Sequence, residues 1–143
     1  MSKQKKTWRE KLGDAKDLPR TIVVPAPMEV DEVMRKVPKG KLATINEIRA
    51  CLARKHGTDL ACQMTTGIFA WIAAHAAEEA RAAGERSLTP YWRTLKAGGE
   101  LNPKYPGGIA ALTRLLRAEG HRVTKRGRKC VVADYERALA KLE

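Results

Sequence analysis

Apolar residues recur at the spacing of one helix face in four segments of the chain. In the first segment they fall at i, i+3, i+4 and i+7, so one side of a helix would be apolar and the other polar. A proline or a glycine directly follows each segment and is expected to end it. The pattern therefore predicts four helices, over residues 29–37, 45–56, 64–83 and 109–119.

The second and third helices carry the most informative local signals. Thr44 is a candidate N-cap, and Glu47 stands three residues later, as in a capping box. In the third helix, small alanines allow close packing, and we expect His75 to be packed rather than functional. The larger residues that share one face of this helix are Met64, Ile68, Trp71, Ile72 and His75.

Strand signals concentrate near the C-terminus. Residues 121–124 and 129–132 flank a turn that contains Gly127, which predicts a β-hairpin. Residues 89–95 are expected to be extended, and Asp134 is expected to cap a last helix up to residue 142. Three helices followed by a hairpin is the order of a winged helix-turn-helix, with 45–56 and 64–83 as the helix pair. A generic small helical domain is the alternative.

The N-terminal residues are polar and charged, with little periodicity. Trp8 and Leu12 are four residues apart and could seat a short helix on the body of the protein. We therefore divide the chain into a basic N-terminal arm, a central winged-helix domain and a C-terminal hairpin with a helix. Their predicted bounds are 1–27, 28–120 and 121–143.

The charge balance of the chain indicates what kind of partner the protein binds. The 143 residues include 28 Lys and Arg against 16 Asp and Glu, a net charge of +12. Residues 121–130 alone hold five basic side chains and no acidic one. Such a field attracts a polyanion, and nucleic acid fits better than a membrane because this block has no apolar face. A solvated loop without a partner is the alternative for this block.

Composition also excludes several classes of protein. Hydrophobic residues make up 43% of the chain, enough for a core, and no apolar run approaches the ~18 residues of a membrane span. The N-terminus lacks the apolar stretch of a secretory signal. Three widely spaced cysteines and three histidines show no metal-ligand spacing, so we expect free thiols, no metal and no cofactor. The expected location is the cytoplasm, in association with the nucleoid.

Five short segments resemble, in order and at similar spacing, the motifs of one known family. They are residues 37–44 (VPKGKLAT), 65–67 (TTG), 90–93 (PYWR), 105–108 (YPGG) and 115–120 (LLRAEG). On these motifs the chain resembles the DNA-binding domain of the O6-alkylguanine-DNA alkyltransferases. The resemblance covers about residues 30–120 and implies a winged helix-turn-helix whose recognition helix begins near the second motif.

The departures from the family are equally informative. Tyr91 stands where the family has its nucleophilic cysteine, and Trp92 stands where it has the activating histidine. A phenol with a pKa of about 10 cannot replace that thiolate as an alkyl acceptor. Glu119 remains from the family's relay, where a structural role is expected. The family's nucleotide-flipping tyrosine is Ile45 here.

Two further features of the family have no match at the expected place. Neither its Asn-Pro pair nor the arginine that fills the gap left by a flipped base occurs near residues 74–76, and Arg81 lies further along the helix. The chain therefore most resembles the alkyltransferase-like proteins, which lack the cysteine. These relatives bind alkylated DNA without repairing it and are thought to flag lesions for excision repair.

These inferences define a set of expected site residues and no catalytic one. The partner is double-stranded DNA, with excision-repair proteins as further candidates, no membrane, and a monomeric protein. The expected base pocket is Pro90, Tyr91, Trp92, Gly107 and Gly108. The expected DNA contacts are Lys39, Lys41, Thr44, Asn46, Thr65, Thr66, Gly67, Arg93, Lys125, Arg126, Arg128 and Lys129.

Two alternatives to a lesion-binding protein remain at this stage. The first is a general or sequence-specific winged-helix DNA binder that does not sense lesions. The second is an active alkyltransferase that uses a displaced cysteine, for which Cys62 at a helix start is the natural candidate.

Overall fold

The structure, a computed structural model, describes residue 5, residues 7–14 and residues 20–143. Helices account for about half of the chain, and the strands are short, so the expected class of a mainly helical protein with small sheets is confirmed. No helix in the described part of the chain has the length and apolar character needed to cross a membrane. The α-helices are α1 (Trp8–Asp14), α2 (Pro27–Arg35), α3 (Ile45–His56), α4 (Gln63–Ala82) and α5 (Gly108–Ala118).

Local capping signals set the ends of the central helices as predicted. The Thr44 hydroxyl accepts a hydrogen bond from the Asn46 N–H, and the Glu47 carboxylate accepts one from the Thr44 N–H at 2.9 Å. The capping box therefore begins α3. Gly57 ends the same helix with φ 64°, a left-handed conformation that glycine adopts without strain.

The core lies where α2 and α3 pack against α4. Met34 from α2 and Leu52 from α3 are fully buried. On α4 the buried residues are Thr66 and four alanines, so small side chains let the helices approach closely. Around them lie other fully buried large side chains, among them Val30, Leu42 and Ile48.

The large side chains of α4 lie outside this core. Met64 is 72% exposed, and Ile68, Trp71 and Ile72 are each 44–46% exposed. His75 is exposed as well, so the expectation that it is packed was wrong. The helix therefore turns its small residues inward and presents an apolar face to the outside.

Three two-stranded sheets hold the remaining segments in place. The strands are β1 (Ile22–Val23), β2 (Ala43–Thr44), β3 (Leu60–Ala61), β4 (Thr94–Leu95), β5 (Val123–Arg126) and β6 (Lys129–Val132). β1 pairs with β3 and β2 with β4, both in parallel, while β5 and β6 form the predicted antiparallel hairpin. Residues 20–23, which the sequence placed in the arm, are thus hydrogen-bonded to the central domain.

Three local expectations were wrong. Residues 89–95 are not extended throughout, because a 3₁₀ helix forms at Tyr91–Arg93 before β4 begins. The last helix is only the 3₁₀ turn Tyr135–Ala138, after which the chain pairs with Leu42. In α1, Trp8 is 82% exposed and does not pack on the body, while the side chain of Leu12, its predicted companion, lies outside the described residues.

Candidate base pocket and nucleic-acid interface

A cavity of about 390 Å³ opens beside the PYWR motif. Its walls are the C-terminal half of α4, the 3₁₀ helix Tyr91–Arg93 and the first turns of α5. Its volume falls within the range of small-molecule sites. Three of the five predicted pocket residues line it, namely Tyr91, Trp92 and Gly107. Pro90 is buried next to it, and Gly108 begins α5.

Tyr91 forms the floor of this cavity and is 5% exposed. Its ring meets Trp92 and Tyr105 edge to face, at centroid distances of 5.4 and 6.1 Å. Burial, together with the nearby charge of Glu78, raises the pKa of the Tyr91 hydroxyl above its ordinary value. The phenol therefore stays protonated at neutral pH and is a poor alkyl acceptor.

A buried ion pair fixes the side of the cavity that Trp92 forms. Glu119 accepts hydrogen bonds from the Trp92 indole N–H at 2.9 Å and from the Arg93 guanidinium at 2.9 Å. It also accepts the Gly40 N–H, and Arg93 donates a further bond to the Val37 carbonyl. The guanidinium of Arg93, expected at a phosphate, is thus engaged inside the protein.

The charge of Glu119 follows from these partners. Burial alone would raise the pKa of its carboxyl, but the hydrogen bonds from Arg93, Trp92 and Gly40 outweigh burial and lower it. Glu119 is therefore ionised and holds together the PYWR turn, the loop before β2 and the end of α5. This is the structural role expected for it.

Gly107 also lines the cavity. It has φ 78°, and a Cβ there would lie 2.4 Å from the Cβ of Ala111. Any other residue would strain the backbone and collide with α5. The glycine pair of the YPGG motif therefore lets the chain turn directly from the loop into α5.

The sequence did not identify three charged residues at the cavity. Glu78 and Arg81 lie on its α4 wall, and Arg114 lies on its α5 wall. Arg81 donates hydrogen bonds to both oxygens of Glu78, which lowers the pKa of the Glu78 carboxyl. Arg81 lies further along the helix than the family's arginine, and it reaches the cavity because α5 and the PYWR turn pack beside the C-terminal half of α4. In the sequence, the three-residue spacing of Glu78 and Arg81 within the predicted helix is the signal that these two side chains can pair.

The expected backbone contacts divide into exposed and buried groups. Lys39, Lys41 and Asn46 are exposed near the start of α3. Thr44 and Thr66 are buried, and their hydroxyls make hydrogen bonds inside the protein. The Thr66 hydroxyl donates to the Cys62 carbonyl at 2.6 Å. Three further residues are partly buried, namely Thr65, Gly67 and Arg93.

The hairpin presents a group of exposed basic side chains. Lys125, Arg126, Arg128 and Lys129 are all exposed around its turn. Of these four cations, Lys129 alone lies near a carboxylate of the described residues, with 3.7 Å between its Nζ and Glu100. These cations are therefore available to a polyanion.

A second cavity, of about 490 Å³, lies beside the N-terminal half of α4. Met64, Ile68 and Trp71 line it together with Lys96 and Lys104. The Trp71 indole N–H donates to the Lys104 carbonyl at 3.1 Å, which ties the loop before α5 to α4. Large apolar side chains and two lysines thus share one surface of the protein.

The three cysteines are free thiols, and none lines the base pocket. Cys62 stands just before α4, whereas the pocket residue Ala77 is fifteen positions further along. At 1.5 Å per residue this is about 22 Å along the helix axis. A displaced nucleophile at Cys62 could not act on a base held beside Tyr91.

No protein-family model and no curated protein matches the chain. Among solved structures it is similar to S. pombe Atl1 in complex with damaged DNA containing O6-carboxymethylguanine, at 16% identity and a TM-score of 0.55. A structure of S. pombe ATL in complex with DNA is 18% identical, with a TM-score of 0.49. Both matches cover 80% of this chain and 94% of the other. The likeness to Atl1 shows that the two chains share a fold.

Proposed function

We propose that this protein is a non-enzymatic, alkyltransferase-like DNA-binding protein that holds an alkylated guanine in the pocket beside Tyr91. The observation that carries the proposal is the cavity itself. It opens at the motif where the alkyltransferases have their reactive cysteine, in a fold shared with a protein crystallised on damaged DNA. Here the cavity offers aromatic rings in place of a thiol.

The chemistry of the pocket suits binding rather than alkyl transfer. Transfer to a protein side chain requires a strong nucleophile, and thiolates supply one near neutral pH. The hydroxyl of Tyr91 is protonated and the indole of Trp92 is hydrogen-bonded to Glu119. An aromatic wall can stack on an extruded base and hold it unchanged.

The proposed docking mode is that of a winged helix-turn-helix. In it, α3 and α4 form the helix pair, the β5–β6 hairpin is the wing, and the exposed cations of the wing contact phosphates. The support is the order of elements, the net charge of +12 and the exposure of the four hairpin cations. Lys39 and Lys41 would add phosphate contacts near the start of α3.

A fluorescence-anisotropy titration tests the proposal. Two duplexes of one sequence, one with a single O6-methylguanine and one with guanine, are titrated at the same salt concentration. We expect tighter binding to the alkylated duplex. Strong binding without any preference would instead support the second candidate, a duplex binder without lesion sensing, which Ile45 at the position of the flipping tyrosine favours. Absence of binding to both duplexes would reject both functions.

A further inference from the structure

The base pocket contains a carboxylate in a protein that is strongly basic. Among the described residues that line the cavity, Glu78 is the one acidic side chain. Its side chain is 35% exposed, and its Oε2 lies 3.5 Å from the Tyr91 hydroxyl at the pocket floor. A negative charge on a surface that faces DNA opposes phosphate, so its position needs a different explanation.

The hydrogen bonds of Glu78 leave it able to accept more. Its two oxygens offer about four acceptor sites, whereas Arg81 and the Tyr91 hydroxyl supply three donor hydrogens, because the Arg81 Nε–H is shared between both oxygens. The pairing with Arg81 also lowers the pKa of the Glu78 carboxyl, which keeps it ionised at neutral pH. An ionised carboxylate accepts hydrogen bonds and donates none, so the group it faces must be a donor.

The bases differ in the donors that they can offer to such a carboxylate. Guanine alkylated at O6 has no proton on N1, so the exocyclic amino group at C2 is the donor left on its pairing edge. Carboxylate side chains read exocyclic amino groups elsewhere in DNA recognition, as with cytosine N4. Glu78 and the ring of Tyr91 line the same cavity, so one base could meet both.

We propose that Glu78 is a specificity-determining residue that accepts a hydrogen bond from the 2-amino group of the extruded base. This inference rests on the proposed function and adds the residue that would read the 2-amino group of the alkylated guanine. Arg81 positions the carboxylate by donating to both of its oxygens. Tyr91 supplies the stacking surface, which all bases can use.

The test compares two lesions that differ in this one group. Matched duplexes carry either O6-methylguanine or O6-methylhypoxanthine, which lacks the 2-amino group, and a third carries guanine. For the wild-type protein we expect at least about tenfold weaker binding to the hypoxanthine lesion, about 1.4 kcal/mol. Glu78→Ala should reduce that ratio to within about twofold. The ratio is the readout because intrinsic differences between the duplexes cancel when the same pair is compared across variants.

Glu79 offers a matched control on the same helix. It is exposed and lies outside the cavity, so Glu79→Ala changes the net charge equally without touching the pocket. We expect both alanine variants to gain similar affinity for undamaged duplex, and only Glu78→Ala to lose discrimination. Glu78→Gln, which keeps the side-chain shape, should retain at most a small part of the ratio because the charged acceptor is lost.

The outcomes separate this inference from the function on which it rests. A wild-type protein that prefers O6-methylguanine to guanine but binds both lesions equally would overturn the role of Glu78 alone. That role is equally overturned if Glu78→Ala keeps the full discrimination, in which case the Glu78–Arg81 pair only stabilises the helix surface. A wild-type protein without preference for any lesion overturns both proposals.

Discussion

Glu119→Gln is expected to destabilise the protein strongly, because it leaves a buried guanidinium without its counter-charge. The side chains of Arg93 and Glu119 are 14% and 6% exposed, and their closest atoms are 2.9 Å apart. Removing one partner of a buried pair costs about 3–5 kcal/mol. This is a large fraction of the roughly 5–15 kcal/mol that stabilises a typical domain.

Urea unfolding followed by far-ultraviolet circular dichroism measures this loss directly. Arg35→Ala is the control, since it breaks an i,i+4 pair in which the side chains of Arg35 and Asp31 are 43% and 16% exposed. An i,i+4 pair at a helix surface contributes only about 0.3–0.5 kcal/mol. A loss below about 1 kcal/mol for Glu119→Gln, or one equal to that of Arg35→Ala, would refute the reasoning.

A double variant separates the charge effect from simple loss of packing. Arg93→Met combined with Glu119→Gln removes both charges and keeps an oxygen that can accept the Trp92 N–H. Because no buried charge is left unpaired, the double variant should be more stable than Glu119→Gln alone. If the stability losses of Arg93→Met and Glu119→Gln add up to the loss of the double variant, the ion pair contributes little to the stability of the protein.

The Arg93–Glu119 pair also makes the stability of the folded protein depend on pH, and the direction follows from the shifted pKa. The pKa of the Glu119 carboxyl is lowered in the folded protein, so its contribution is fully present above the unfolded value of about 4.3. It is lost as the pH falls through the lower, folded value. The stability difference between wild type and Glu119→Gln should therefore shrink below about pH 4. Other carboxylates, including Glu29 with a pKa of about 2, are common to both proteins and cancel.

The remaining predictions concern DNA and the pocket. If about five phosphates are neutralised, log K against log[salt] should have a slope of about −4 to −5. Replacing the hairpin cations Lys125, Arg126, Arg128 and Lys129 with alanine should make that slope shallower, and an unchanged slope would remove the hairpin from the interface. Intact-mass spectrometry after incubation with O6-methylguanine DNA should find no added methyl group, whereas a stoichiometric adduct on any cysteine would restore the enzyme hypothesis. Tyr91→Ala should weaken binding to alkylated duplex by about 1–3 kcal/mol and Tyr91→Phe much less. An equal loss on plain duplex would make Tyr91 a packing residue.

Elements defined by neighbours in sequence were predictable. The capping box at Thr44 begins α3, and the glycine after His56 ends it. Both signals act through contacts that span three or four residues. The hairpin follows from the two short stretches 121–124 and 129–132, which flank a turn at Gly127 with φ 65°. Such signals are read correctly because the groups that satisfy each other lie within one turn of the chain.

Elements that depend on distant partners were not predictable. The residues after Ala138 would continue a helix by propensity, but they pair with Leu42, whose backbone N–H and carbonyl are buried and need partners. The turn at Tyr91–Arg93 is held by Glu119, which lies 26 residues beyond Arg93. Glu78, Arg81 and Arg114 reach the cavity only because α4 and α5 are brought to the same side of the PYWR motif.

The orientation of α4 shows how a correct helix assignment can leave function undecided. Its large residues Met64, Ile68, Trp71 and Ile72 follow the spacing of one face, and its small residues Thr66, Ala70, Ala73 and Ala74 follow the same spacing two positions later. At 3.6 residues per turn this offset turns one stripe about 200° from the other. Periodicity alone therefore cannot say which stripe is buried.

Packing geometry decides between the two stripes of α4. The small stripe lets α2 and α3 approach closely, whereas burial of the large stripe would hold these helices apart. Trp71 remains 44% exposed, beside Lys96 and Lys104. The structure thus leaves an apolar helix face outside the core, with two lysines on its border. This surface and the pocket beside Tyr91 lie along the same helix, since Met64 and Trp71 line one cavity and Glu78 and Arg81 the other, so the side chains that the core leaves outside are the ones that α4 can offer to a partner.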